Sequence, residues 1–127
     1  MAILIDTHAL LWWLRDERRL PARARRLIDE ERQRGGAFVS ALTALEVSGA
    51  ARGAFAAVLP GLPEALDANG FRTLVFTFED AIRAGELPRI HRDPIDRALA
   101  AQADRRNLTL VTADARLAEY PIAVFRL

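Results

Sequence analysis

The sequence predicts an α/β fold: a three-layer α/β/α arrangement around a mainly parallel five-stranded sheet. Three observations predict it. Short, continuously apolar runs such as residues 2–5 (AILI) suit strands buried on both faces. These runs alternate with helix-like segments along the chain, the pattern of crossover-connected parallel strands. Finally, 127 residues, 51% of them apolar, are enough to bury the core that such a sheet needs.

Each element follows from local signals. Residues 2–5 form the first strand, and residues 8–14 continue as a short helix. Pro21 is expected at N1 of the next helix, which runs to residue 34 with Leu27 and Ile28 facing inward and Gly35-Gly36 ending it. Residues 37–39 form the second strand, and Ser40 or Thr43 opens a helix through residue 51. Residues 60–70 add a helical turn or two that stops at Asn69-Gly70. Residues 73–76 are a third strand, followed by a helix opening at Thr77. Asp93 as N-cap and Pro94 as N1 begin a strong helix to residue 106. Residues 108–111, a short helix at 114–119 and a last strand at 122–125 complete the order. There is no repeat, low-complexity tract or long linker, so a single domain over 1–127 is expected.

Composition narrows the function. Charged residues make up 28% of the chain, ordinary for a soluble protein. No run reaches the ~18 apolar residues of a membrane-spanning helix. The opening MAILIDTHALLWWL lacks a basic n-region and carries Asp6 inside it, so it reads as strand and helix rather than signal peptide. The absence of cysteine excludes disulfides, a thiol nucleophile and thiolate metal ligation, and leaves the cytoplasm as the default location. All 18 basic residues are arginine. Without lysine there is no P-loop, no Schiff base and no phospho-accepting receiver domain.

Four carboxylates carry the chemistry. Asp6, Glu46, Asp96 and Asp114 lie far apart in sequence, each just past an apolar run or in the first turns of a helix: ILIDTHALLWW, FVSALTALEVSGA, HRDPIDRALAAQA and LVTADARLAEY. In an open parallel sheet these positions share the carboxyl edge, where ligands bind. Two charges ~4 Å apart interact by roughly 4 kcal/mol at an effective dielectric near 20, so gathered carboxylates call for a cation. The pattern points toward a divalent-metal site.

Each acid also has a purely structural use. Asp6 can cap the helix after the first strand, and Thr43-Ala-Leu-Glu46 matches a capping box. The Asp-Pro pair explains Asp93 fully. Asp96 at N3 favours the helix dipole by roughly 0.3–1 kcal/mol, and Asp114 can make an Asx turn. Glu79 and Asp80 meet the same positional criterion and are assigned to capping beside Thr77. What favours a shared site is joint occurrence, because helix N-termini in this architecture point at one edge. His8 and His91, the only histidines, could as a pair run metal-free RNA cleavage as base and acid. Neither has metal-ligand spacing, and both read as supporting or surface residues. Trp12 and Trp13 with Leu10 and Leu11 make a short helix too apolar to bury entirely; one face is left to meet a partner, with at least one tryptophan in the core.

At these residues the sequence resembles PIN-domain ribonucleases, specifically VapC-type toxins of bacterial toxin–antitoxin pairs. The resemblance spans nearly the whole chain, through LIDTHALLWWL, VSALTALEV, LPRIHRDPIDRALAAQA and LVTADARLAEYPI. Asp-Pro-x-Asp-Arg before an alanine-rich helix, then Leu-Val-Thr-x-Asp, is specific in combination. The resemblance implies that Asp6, Glu46, Asp96 and Asp114 form the catalytic, metal-binding pocket, with Thr112 beside it and Asp93 as an accessory acid; it decides Glu46 against the capping box. All-oxygen ligation suits Mg2+ or Mn2+. Also implied are an RNA substrate of the tRNA or ribosomal RNA class, a homodimer, and a cognate antitoxin that lays a helix in an apolar groove, in a larger toxin–antitoxin complex. Trp12, Trp13 and the 51–59 segment with Phe55 are the groove candidates. The sequence departs from many relatives at Leu45, where they carry tryptophan, and in AARGAFAAV, where Arg52 is the available basic residue. Arg89, Arg92, Arg97 and Arg116 adjoin the motif acids and are candidates for RNA phosphates, with ordinary surface charge as the alternative. Two rival functions remain open at this point: a metal-dependent PIN-type nuclease in RNA processing or DNA cleavage, and a catalytically silent binding module whose acids are only caps.

Overall fold

In a computed structural model, which describes residues 1–49, 57–58 and 60–127, five strands form one parallel sheet. They are β1 (Ile3–Ile5), β2 (Ala37–Ser40), β3 (Arg72–Leu74), β4 (Thr109–Thr112) and β5 (Val124–Arg126), in the order β3-β2-β1-β4-β5. The helices are α1 (Thr7–Leu14), α2 (Ala22–Arg34), α3 (Ala41–Gly49), α4 (Leu62–Ala68), α5 (Phe78–Glu86) and α6 (Pro94–Arg105), with a 3-10 turn at Leu117–Glu119.

Strand periodicity sorts the core into two layers. Ile3 and Ile5 pack on one face of the sheet with Ala9 and Leu10 of α1, Ala24 and Ile28 of α2 and Leu62 and Leu66 of α4. Leu4 packs on the other face with Leu110 and with Ala98, Leu99 and Ala103 of α6. All three β1 residues have 0% exposure, which is why the run is apolar throughout. The three-layer, five-stranded expectation is therefore met. Among the described residues, no helix is long and apolar enough to cross a membrane.

Boundaries moved where a partner ran out or a cap acted first. Pro21 is the N-cap of α2 rather than its first helical residue, and Gly35 ends that helix at φ 76°. Ser40 Oγ accepts the Leu42 N–H (3.0 Å), so α3 starts at Ala41 and Thr43 lies inside it. Thr43 Oγ1 pairs instead with Thr7 Oγ1 at 3.1 Å, and the capping-box alternative for Glu46 falls. β3 stops at Leu74 because its partner β2 ends at Ser40. β5 starts at Val124 because the Ile122 N–H closes a tight turn onto the Tyr120 carbonyl around Pro121. Thr77 and Asp80 form the capping box expected of them. Asp80 is fully buried and takes ion pairs from Arg105 and Arg106, which fasten α5 to α6.

Candidate active site

The strand order reverses direction at β1 and β4, and the carboxyl ends of these two strands carry two of the predicted acids. Asp6 extends the ladder one residue past β1, its N–H donating to the Val111 carbonyl at 3.1 Å. Its carboxylate caps α1 by accepting the Ala9 N–H at 2.8 Å and is 7% exposed. Burial pushes the Asp6 carboxyl up, against the opposing hydrogen bonds of Thr112 and Ala9. The Thr112 hydroxyl is shared: it hydrogen-bonds Asp6 and also accepts the Asp114 N–H at 3.0 Å.

The other three acids come from separate elements. Thr7 and Thr43 tie α1 to the first turn of α3, and Glu46 lies three residues beyond Thr43 on the same helix face. The Glu46 charge raises both Asp6 and Asp96, so it belongs to the same electrostatic cluster. Asp96 stands in the first turn of α6, which Asp93 caps by accepting the Ile95 N–H at 2.9 Å. Burial first, then the charges of Asp93, Glu46 and Asp114, push the Asp96 carboxyl up to about 6 despite His91. Asp114 follows β4 in an Asx turn, its Oδ1 accepting the Arg116 N–H at 2.8 Å. Burial would raise its carboxyl, but the hydrogen bonds of His91 and Arg116 outweigh that and hold it below the usual value. Capping and clustering are thus not alternatives: Asp6 and Asp114 do both.

Of the two readings the sequence offered for His91, supporting or surface residue, the structure favours the first. Its Nε2 lies 2.6 Å from Asp114 Oδ2 and 3.2 Å from Asp96 Oδ2, inside the acidic cluster. The ring is mostly buried, Nδ1 accepts the Asp93 N–H at 3.0 Å, and the His91 N–H donates to Tyr120 Oη at 3.0 Å. The usable signal was its position two residues before the capping Asp93, where the chain must turn back toward the helix start.

Two expectations need correction. Arg97 does not face RNA: its guanidinium donates to the carbonyls of Ala84 (2.9 Å) and Leu87 (3.2 Å), closing the end of α5. Arg89, Arg92 and Arg116 are exposed. Trp13 packs inward, its indole N–H on Asp29 Oδ1 (3.1 Å), its ring edge-on to Phe71 and its face under Arg32. Trp12 stays at the rim beneath Arg19. Phe55 and Arg52 lie outside the described residues.

The donor set fits a hard divalent cation. Asp6, Glu46 and Asp96 have no arginine within ion-pair distance among the described residues, so the negative charge is gathered without a fixed counter-charge. The His91, Asp96 and Asp114 donor atoms lie within 4.8 Å of one another, close enough to share one ion's surroundings.

The PIN-domain family profile matches residues 3–123. The chain belongs to the PIN-domain family. Solved structures share its fold: VapBC2 from Rickettsia felis bound to a promoter DNA fragment (16% identity, TM-score 0.71, covering 99% of this chain and 98% of that one). DNA-bound VapBC from Salmonella typhimurium is similar (18%, 0.72, 99% and 98%), as is FitAcB from Neisseria gonorrhoeae (26%, 0.69, 98% and 96%). No curated protein sequence matches the chain. In this PIN domain the four predicted acids stand just past β1, on α3, in the first turn of α6 and just past β4.

Proposed function

We propose that this PIN domain is a toxin-type endoribonuclease, hydrolysing RNA phosphodiester bonds at the acidic pocket and neutralised by a cognate antitoxin. The observation that carries the reading is the convergence of Asp6, Glu46, Asp96 and Asp114, with ionisation of Asp96 resisted until about pH 6. Such a pocket is costly as structure alone and makes sense as a cation site. Asp6 and Asp96 would hold Mg2+ or Mn2+, Glu46 and Asp114 complete the pocket, and Asp93 adds charge from the cap of α6. When bound, the cation supplies charge neutralisation at the scissile phosphate and a lowered pKa for the attacking water. Thr112, already bonded to both Asp6 and Asp114, holds these acids in register. With water as nucleophile, the products carry 5′-phosphate and 3′-hydroxyl ends; 2′,3′-cyclic phosphate ends would refute this.

Partners follow from surfaces. Arg89, Arg92 and Arg116, exposed beside the acids, supply the phosphate contacts that an acidic pocket needs, with tRNA or ribosomal RNA in the cytoplasm as the substrate class. Leu14 and Val58 are half-buried at the rim of a narrow apolar cleft between α1, α3 and α4, and an antitoxin helix would lie over this rim, with half-buried Trp12 as a further candidate contact on α1. The likeness to VapBC and FitAcB, each a two-component assembly by name, supports an antitoxin partner. Val75, Phe78 and Ile82, 69%, 79% and 53% exposed, put apolar surface at the start and along one side of α5 and support a homodimer.

The test is cleavage of total tRNA and ribosomal RNA by the antitoxin-free chain with Mg2+ or Mn2+, with EDTA, and by Asp96→Asn. Loss in both EDTA and the variant is expected. Cleavage that survives EDTA would overturn the metal reading, and a folded chain that cuts only DNA would overturn the substrate.

A further inference from the structure

We propose that His91 is a positioning residue of the acidic site, a neutral imidazole protonated on Nε2 that clamps Asp114 and Asp96 by hydrogen bonds and does not itself ligate the cation. The proposal rests on the reading of the pocket as a divalent-metal centre. Distance alone would allow the opposite, since Nε2 and one oxygen each of Asp96 and Asp114 lie within 4.8 Å of one another. The far side of the ring decides. The Asp93 backbone N–H lies 3.0 Å from Nδ1, and a backbone amide can only donate. Nδ1 is therefore the acceptor and bears no proton, so the proton of the neutral ring sits on Nε2. A protonated ring nitrogen has no lone pair to offer a metal. It does have a hydrogen for Asp114 Oδ2 at 2.6 Å, the short separation of a charge-assisted bond, and for Asp96 Oδ2 at 3.2 Å.

Ligation through Nε2 would move the proton to Nδ1 and set it against the Asp93 N–H. Two donors would then face each other at the residue that caps α6. The backbone that carries the ring is fixed as well. The His91 N–H is held by Tyr120 Oη, on a side chain only 3% exposed, and the preceding residue is tied by the Ile90 N–H to the Pro88 carbonyl. The outcome is a pocket prearranged by protein donors. Asp114 has one oxygen on His91 and the other on the Arg116 N–H, while Asp6 is held by Ala9 and Thr112. Asp96, with the longer His91 contact, is held less tightly than Asp114 and Asp6 and is freer than they are to take up a cation.

The experiment is a long-range proton–nitrogen NMR spectrum of the antitoxin-free chain with 15N-labelled histidine, metal-free and saturated with Mg2+. A His91→Gln spectrum assigns the signals, because His8 is the only other histidine. A proton on Nε2 and a bare Nδ1 in both states is the expected result. A proton appearing on Nδ1 when Mg2+ is added, or on both nitrogens in either state, would overturn the proposal. In parallel, Mn2+ affinity is measured by calorimetry. His91→Ala should weaken it by about 10–100-fold, the usual effect of removing a residue that orients a ligand, while His91→Gln, with an amide N–H near the Nε2 position, should recover most of the loss. Unchanged affinity in His91→Ala would also overturn the proposal. If neither Mg2+ nor Mn2+ binds the wild-type chain, the metal reading of the pocket fails, and the metal-free spectrum still decides which nitrogen holds the proton.

Discussion

Asp96→Asn separates what the pocket costs the fold from what it offers a bound cation. Folding moves the Asp96 carboxyl from the ordinary 3.8 to about 6. At about 1.4 kcal/mol per pH unit, the ionised form costs the metal-free protein about 3 kcal/mol, an upper figure because the side chain is 22% exposed. The folded state binds this proton more tightly than the unfolded state. Its contribution is therefore fully present below 3.8, declines as pH rises, and is lost above about 6. Asparagine has no charge to suppress. The variant should match wild type in acid and exceed it near neutral pH, the gap opening between those two values. Burial of Asp6 acts in the same direction in both proteins and cancels from the difference. Urea unfolding in EDTA, repeated across this pH range, measures the gap. Saturating Mg2+ should then stabilise wild type more than the variant and close it. A variant less stable than wild type near neutral pH, or a gap independent of pH, would refute the account of Asp96.

Other substitutions probe other parts. Asp80→Asn removes a buried carboxylate from Arg105, Arg106 and the Thr77 cap, and should lower unfolding free energy by about 3 kcal/mol in the same urea assay; a loss within experimental error would refute its role in joining α5 to α6. Arg97→Ala strips donors from the Ala84 and Leu87 carbonyls and should cost about 2 kcal/mol while leaving the salt dependence of RNA binding unchanged. Arg92→Ala should do the reverse, with stability within about 0.5 kcal/mol of wild type and a salt slope lower by about 1. Phe78→Glu combined with Ile82→Glu should halve the mass of the proposed homodimer in sedimentation while circular dichroism stays native; an unchanged mass would overturn the assignment of α5 to a dimer interface.

The features legible in the sequence were those decided within a few residues. The unbroken Ile3–Ile5 run reads as a doubly covered strand because both of its faces are buried, and Asp93-Pro94 reads as a helix start because capping is local. What escaped depended on distant partners. Thr43-Ala-Leu-Glu46 has the letters of a capping box, but Ser40 started the helix first and Thr7, 36 residues away, took the Thr43 hydroxyl. Val75 and Phe76 look like strand residues, yet no β2 partner remains beyond Leu74, and the Gln102 amide takes the Val75 carbonyl. Arg97 looks like its neighbours Arg89 and Arg92 until the end of α5 is folded against it. His91 meets Asp114 across 23 residues, and only its place two residues before the capping Asp93 hinted at it. The four acids could be named because parallel topology sends strand exits and helix starts to one edge, and because the family resemblance, not position, singled out Glu46.

The position of β1 has a consequence for when the acidic cluster can form. This strand is flanked by β2 and β4, so the sheet centre is completed only when residues 109–112, near the far end of the chain, are laid beside residues 3–5. Thr112 and Asp114 are synthesised after Asp6, Glu46 and Asp96, and the long loop between the first and fourth strands must close before they meet Asp6. No fragment that ends ahead of β4 can hold all four acids. The four acids can therefore come together only once β4 has been made and paired with β1, whatever the order in which the rest of the sheet assembles.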